Sequence, residues 1–408
     1  MRILVYPHAM EIGGSQLNAV DLARAVRDLG HDVTVISEPG PLVERVRAAG
    51  IEHIPLDAGR RRPSPATVRM LRSLIAERHY DVVHGYEWPP GVEAFYAAGR
   101  GAAAVCTVMS MAVAPFLPSS LPLVVGTHEI RDGVVARRRG RLTAPVHLIE
   151  PPIDVRENAP DHPVEEFQTR FGLDRDHFDM VIVSRLAAEL KLEGILTAIE
   201  VIGRLADELP MRLIIVGDGP SRALVEKRAA EVNAKVRRRV VVVTGALDDP
   251  RPAYAAATVT IGMGGSALRA LAFARPLIVQ GEHGFFELLT PDSAEVFLRQ
   301  GWYGLGGRGA TGLADLLLDL YGDERRREKL GAYGRDLVVE RFSLERAARV
   351  QELIYMDAVA TGPVRFGRDA VTTASGVLAH KARRHWQRLR GTAARDDFNA
   401  VTAIRGRT

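Results

Sequence analysis

The chain has 408 residues, 47% hydrophobic and 25% charged, with a formal net charge of +4. No run of ~18 uninterrupted apolar residues offers a membrane span, "MRILVYPH" reads as a first buried strand and not as a signal peptide, and the single Cys106 cannot pair within the chain. A cytoplasmic protein of two domains is expected, because this length exceeds one ordinary core.

The first half alternates apolar strands with helical patterns: "RILVYP", "SQLNAVDLARAVRDLG", "DVTVIS", "PLVERVRAAG", "EHIPL", "ATVRMLRSLIAERH", "DVVHGY", "AAVCTVMS", "PLVVGT" and "APVHLIEPPIDV". Short β-rich runs separated by helices predict a parallel, doubly wound sheet. The Pro-Pro break in the last stretch is the candidate hinge. A second series runs from "DMVIVSRL" through "GILTAIEVIGRLADE", "MRLIIVGDGP", "SRALVEKRAAEVN", "RVVVVTGA" and "PAYAAATVTIGM" to "PLIVQGE". "SLERAARVQELIYMDAVA" then reads as a long amphipathic helix. The expected division is 1–152 and 153–342 as two Rossmann-like domains facing across a cleft, 343–360 as a helix packing back toward the first, and 361–408 as a basic tail.

From Arg365 onward there are ten Lys or Arg against three Asp, so the rest of the chain is slightly acidic. Such a tail is either a solvated surface helix with a frayed end or a contact for an anionic membrane. No nucleic-acid partner is expected.

Ligands of open α/β sheets bind beyond the carboxyl ends of the strands, so the strand-end loops carry the candidate chemistry. After the first strand, Gly13 and Gly14 precede Ser15, a plausible N-cap, in a turn that aims backbone N–H groups outward. After "DMVIV", Arg185 and Lys191 flank a short loop near a helix start. Two cations there repel one another unless an anion or Glu189 shares them, and a diphosphate satisfies both. Gly217 stands in "GDGP", which opens a helix with Ser221 near its start, and Gly245, Ala246 and Leu247 stand in "TGALDD". Each is also explicable as a simple turn.

Further on, "IGMGGSALRALAFARP" resembles a phosphate loop. Gly262, Gly264 and Gly265 lead into Ser266, read as an N-cap, and a short apolar helix that ends before Arg275. On that reading Arg269 occupies the first turn. It then faces the positive end of the helix dipole, at a cost of roughly 0.3 to 1 kcal/mol unless an anion sits nearby.

Taken in order, "GGSQLNAVDLARAVRDLGHDVTVIS", "DVVHGYEW", "PPIDV", "VSRLAAELKLEGILTAI", "IIVGDGPSRALVE", "VVVVTGALDD" and "LRALAFARPLIVQGEHGFFELL" resemble the retaining glycosyltransferases of family 4, of the GT-B fold. The resemblance implies a nucleotide diphosphate sugar as donor, transfer with retention at the anomeric carbon, and no cofactor or required metal. It implies that Gly13 and Gly14 lie against donor or acceptor, that Arg185 and Lys191 grip the diphosphate, and that "TGALDD" holds the base. Gly217, Gly264, Gly265, Ser266 and Arg269 complete the expected donor-binding set.

The resemblance has gaps. The family's two glutamates, separated by seven intervening residues, fall on Ile261 and Arg269, and its first-domain histidine falls on Met109. Glu287 matches a later family glutamate that replaces neither. His84 and His128 are the candidate substitutes for the histidine, with His8 a weaker third. The chain is thus either an active sugar transferase with an altered donor pocket or a catalytically silent GT-B module. A GT-B epimerase is the third reading.

Overall fold

The computed structural model describes residues 1–99, 101–110, 112–138, 144–174, 176–362 and 367–390. The chain forms two compact units: Met1–Pro152 together with the chain from Leu344 onward, and Ile153–Ser343.

The first unit runs β1 (Arg2–Tyr6), α1 (Gly14–Asp28), β2 (Asp32–Ser37), α2 (Leu42–Ala48), β3 (Glu52–Pro55) and α3 (Pro65–Arg78). It continues through β4 (Val82–Tyr86), α4 (Trp88–Ala98), β5 (Ala103–Val108), β6 (Leu123–Val125), α5 (His128–Arg137) and β7 (Val146–Leu148). The strand order is β3-β2-β1-β4-β5-β6-β7, and every neighbouring pair is parallel. A parallel sheet is covered on both faces, which is why its strands read as continuous apolar runs. In β1, Ile3 and Val5 join the core under α1, whereas Leu4 and Tyr6 join the core under α3 and α4.

The second unit runs α6 (Glu165–Phe171), β8 (Phe178–Val183), α7 (Leu192–Leu205), β9 (Met211–Val216), α8 (Arg222–Val236), β10 (Val241–Gly245) and α9 (Arg251–Ala256). It continues with β11 (Val259–Gly262), α10 (Gly265–Ala272), β12 (Leu277–Gln280), β13 (Phe286–Leu288), α11 (Pro291–Gln300), α12 (Gly309–Gly322) and α13 (Glu324–Phe342). Its strand order is β10-β9-β8-β11-β12-β13, parallel except for the β12–β13 pair.

Two helices complete the first unit. α14 (Leu344–Thr361) packs on α1 and β5, with Ala348, Ile354 and Tyr355 in the core beside Ile3 and Val5. α15 (Arg368–Leu389) covers part of the opposite face, where Val377 joins the core of Leu4 and Phe95. The basic tail therefore includes a docked helix of 22 residues; its last 18 positions, 391–408, lie outside the described residues.

Several helices have no counterpart in the sequence reading. α4 begins Trp88-Pro89-Pro90, and paired prolines look like a break. Proline is tolerated in a helix's first turn, where its missing N–H has no intrahelical partner to lose.

Candidate functional site

In the second unit, β8 lies between β9 and β11, so the strand order reverses there. Helices on the two sides of a reversal go to opposite faces of the sheet. Accordingly Ile195 and Ile199 of α7 belong to one core, and Leu268 and Leu271 of α10 to the other. At such a reversal the loops leaving β8 and β11 are expected to diverge and to open a crevice at the carboxyl edge.

Backbone bonds hold the neighbouring loops together. The Leu186 N–H donates to the Asp218 carbonyl at 2.9 Å, the Ser221 N–H to Leu186 at 2.9 Å, and the Gly217 N–H to Gly245 at 2.9 Å. A Cβ on Gly217 would lie 1.9 Å from the Ser184 oxygen at φ +146, and one on Gly219 would lie 2.4 Å from the Leu186 oxygen. Gly217, expected to contact a donor, is thus required by loop packing itself. Gly245 (φ +76) approaches the Arg222 guanidinium, which Asp218 and Glu226 already pair. Ala246 is exposed, and the half-buried Leu247 packs against the core cluster that contains Val216 and Val242. Ser221 stands at the N-cap of α8, but its side chain makes no capping bond.

Arg185 is exposed and Lys191 half-buried at the N-cap of α7. Burial first, and the charge of Arg185 second, hold the Lys191 ammonium below its ordinary pKa. Among the described residues no carboxylate forms an ion pair with either cation. Glu189, the alternative to an anion as their shared partner, offers only its backbone carbonyl, which accepts the Lys191 N–H at 2.8 Å. Glu193, the acid in the first turn of α7, is turned to another loop, where it accepts the N–H groups of His283 (3.0 Å) and Gly284 (2.7 Å). Two unneutralised cations beside an uncapped helix N-terminus are a candidate anion site.

The glycine turn across the crevice differs from the sequence reading. The N-cap of α10 is Gly264, with φ +56, and its N–H donates to the Trp302 carbonyl at 2.7 Å. Ser266 lies inside the helix and bonds Met263 through its Oγ, so it is not the cap. A Cβ on Gly264 or Gly265 would meet nothing within 4 Å, so this side of the turn is open.

Arg269 is in the last turn of α10, where a cation suits the dipole; the expected mismatch disappears. It is half-buried, without an ion pair among the described residues, and its charge acts on the buried phenol of Tyr254. Burial pushes that phenol up to about 12, and Arg269 opposes the shift. Ile261 sits inside the sheet, 2% exposed, paired with Ile182 and Ile278. It does not reach the crevice.

The first unit has its own reversal, between β1 and β4. Gly13 is the N-cap of α1 without a side-chain bond, and a Cβ on Gly14 would meet nothing within 4 Å. Ser15 does not cap; its Oγ donates to Glu87 at 3.0 Å. Glu87 also accepts the N–H groups of Met109 (3.0 Å) and Ser110 (3.1 Å) and the Ser110 hydroxyl (2.8 Å). Burial pushes its carboxyl above the ordinary range while these four donors pull it back. A buried acid at φ +69 thus ties together three strand-end loops. The sequence reading passed over it, although an acid directly after a buried strand was the available signal.

The expectation that His84 reaches a substrate is not met. It is fully buried, with Nδ1 2.6 Å from the Tyr355 hydroxyl and Nε2 2.7 Å from that of Thr107. Burial pushes it down to about 3, so it is neutral at physiological pH. His8 is also buried, 3.2 Å from Gln16. His128 remains at the rim, half-buried as the first residue of α5.

Residues 12–157 match the model of Glycosyltransferase Family 4, and residues 177–323 match that of Glycosyl transferases group 1. The chain is thus built from two glycosyltransferase domains and has the two-domain α/β architecture of the GT-B fold.

Among its relatives, a phosphatidyl-myo-inositol mannosyltransferase of Mycolicibacterium smegmatis is 35% identical over 95 residues, which is 21% of this chain and 25% of that protein. The chain therefore matches about a quarter of that relative's length. A glycosyltransferase from Rickettsia africae superimposes with a TM-score of 0.70 at 16% identity, over 88% of this chain and 98% of that one. The Anabaena Alr3699/HepE protein in complex with UDP gives 0.67 at 14% identity, over 88% and 100%. At these identities the structural likeness establishes the fold alone.

Proposed function

We propose that the protein transfers a sugar from a nucleoside diphosphate sugar to a hydroxyl acceptor of the glycan, lipid or natural-product class, with retention at the anomeric carbon. The observation that carries this reading is the unneutralised pair Arg185 and Lys191 at the β8–β11 reversal. In the reaction the anomeric carbon–oxygen bond breaks and its electron pair leaves with the diphosphate. The acceptor oxygen bonds to the anomeric carbon and releases its proton.

Negative charge grows on the leaving diphosphate. Fixed cations and helix N–H groups stabilise that charge more in the transition state than in the bound donor. Arg185 supplies a planar fork, Lys191 a point charge, and α7 its first amides. This reading asks for no metal. The open side of Gly264 and Gly265 leaves room for the sugar. A second reading, a silent binding module, is favoured by Ile261 and Arg269 standing where the resembled family keeps acids.

The test is release of nucleoside diphosphate from UDP-, GDP- and dTDP-sugars by the full chain, beside direct binding of each diphosphate. Turnover with one donor is expected. Arg185→Ala should weaken diphosphate binding roughly tenfold to a hundredfold, the loss of a charge-assisted contact. Binding without turnover on any donor establishes the silent module instead, and binding unaffected by Arg185→Ala removes the cation pair from the site.

A further inference from the structure

α15 has two faces with different roles. One is docked: Thr373 and Val377 are buried, Gly376 lies against Phe116, and the His380 ring packs edge-on to Trp88 at 5.3 Å. Asp369 anchors the start of the helix by accepting the Ser120 N–H at 2.8 Å and the Ser119 hydroxyl. Lys381 reaches the Pro63 carbonyl at 3.4 Å.

The opposite face carries Val371, Leu378, Trp386 and Leu389, which are 71%, 68%, 60% and 72% exposed. Val371, Leu378 and Leu389 are spaced seven and eleven residues apart, so at about 100° per residue they fall on one line. Docking fixes the roll of the helix and therefore turns this line outward.

Cations flank the apolar line. Arg368, Arg383 and Arg390 project to one side of it and Lys381 and Arg388 to the other, by the same helical geometry. Asp369 is the one acid in the helix, and the docked serines engage it. An exposed apolar ridge alone is compatible with many partners, but a ridge between two rows of cations is complementary to a layer of anionic headgroups over hydrocarbon. Tryptophan beside the ridge suits the same boundary. The Arg390 guanidinium, 4.8 Å from the Trp386 ring centre, brings charge and aromatic surface to one place.

We infer that α15 is a docked interfacial helix that binds the surface of an anionic phospholipid bilayer, with Val371, Leu378, Trp386 and Leu389 entering the headgroup boundary. It does not span the membrane; no helix among the described residues is long and apolar enough to do so. The helix lies beside the strand-end rim of its own unit, because His380 packs on Trp88 and Trp88 follows Glu87. The inference is independent of sugar transfer, since it concerns binding alone.

The experiment is flotation of the full chain with vesicles of pure phosphatidylcholine and of phosphatidylcholine with phosphatidylglycerol, at low and high salt. Binding to the anionic vesicles, at least tenfold above neutral ones and weakened by salt, is expected. Leu378→Asp with Leu389→Asp, and separately Arg383→Glu with Arg388→Glu, should each lower it at least tenfold. These side chains are exposed, and an unchanged melting profile confirms that both variants fold. Trp386 emission should shift to the blue on anionic vesicles, and Trp386→Phe should abolish the shift. Equal binding to both vesicle types, or none, overturns the inference. So does a monomer–dimer equilibrium lost in the aspartate variant without vesicle binding, which assigns the ridge to a second copy of the chain.

Discussion

A lysine held beside an arginine and partly out of water gives up its proton more easily, and that cost is recovered when an anion arrives. Lys191 is in this position. Its cation is present below its depressed folded pKa and is lost as pH rises through it, so diphosphate affinity should fall on the alkaline side. Binding favours the protonated amine and should raise its pKa, with proton uptake in that window. Arg185→Ala removes one cause of the depression. In that variant affinity should be weaker at neutral pH, yet its alkaline decline should begin at a higher pH. Lysine-labelled NMR titrations of both proteins, free and with UDP, measure this. An unchanged Lys191 titration in Arg185→Ala would show that the two charges do not interact. This pair was legible in the sequence because a strand end and a helix start bracket it. Arg269 was misplaced because the helix begins at Gly265 and not after Ser266; a boundary error of two residues moved it from the first turn to the last and reversed the dipole argument.

At the scale of elements, the glycine turns look alike in sequence and separate in structure. Gly217 is held at φ +146 with its missing side chain against the Ser184 carbonyl, whereas Gly265 sits in helical backbone facing open space. Gly217→Ala should therefore destabilise the second unit by more than about 2 kcal/mol, through strain and displacement of the β8 loop. Gly265→Ala should leave stability unchanged or raise it by about 0.4 to 1 kcal/mol, while its methyl group obstructs a donor in the crevice. Thermal unfolding and diphosphate affinity measured on both variants distinguish the roles. Loss of stability in Gly265→Ala would show that the turn is not open. Strand periodicity recovered the buried elements of both sheets, since parallel strands are apolar on both faces. It missed α4, whose prolines mimic a break, and it could not show which face of α15 is docked, because Phe116 and Trp88 are remote in sequence.

At the scale of the molecule, the first unit is not one continuous stretch: the chain leaves it after Pro152 and returns at Leu344. The return is secured by His84, whose two ring nitrogens join Thr107 in β5 to Tyr355 in α14, 271 positions away from His84. No local pattern announces such a bond, which is why His84 looked like a strand-end catalyst. Its burial makes a prediction about the whole unit. Folded His84 titrates at about 3, whereas an unfolded histidine titrates near 6.5. Between those values the unfolded chain holds the extra proton, so stability falls as pH drops through this window. The loss attributable to this residue is on the order of 2 to 3 kcal/mol by pH 4.5. His84→Gln keeps a hydrogen-bonding group and removes the titration. It should be less stable than the native protein at pH 7 by about 1 to 2 kcal/mol, but should lose less on acidification, so that the gap narrows or reverses by pH 4.5. Urea midpoints at pH 7, 5.5 and 4.5 provide the comparison. A parallel decline of the two proteins would mean that His84 takes up its proton in the folded state and that the contact closing α14 onto the sheet is open to water.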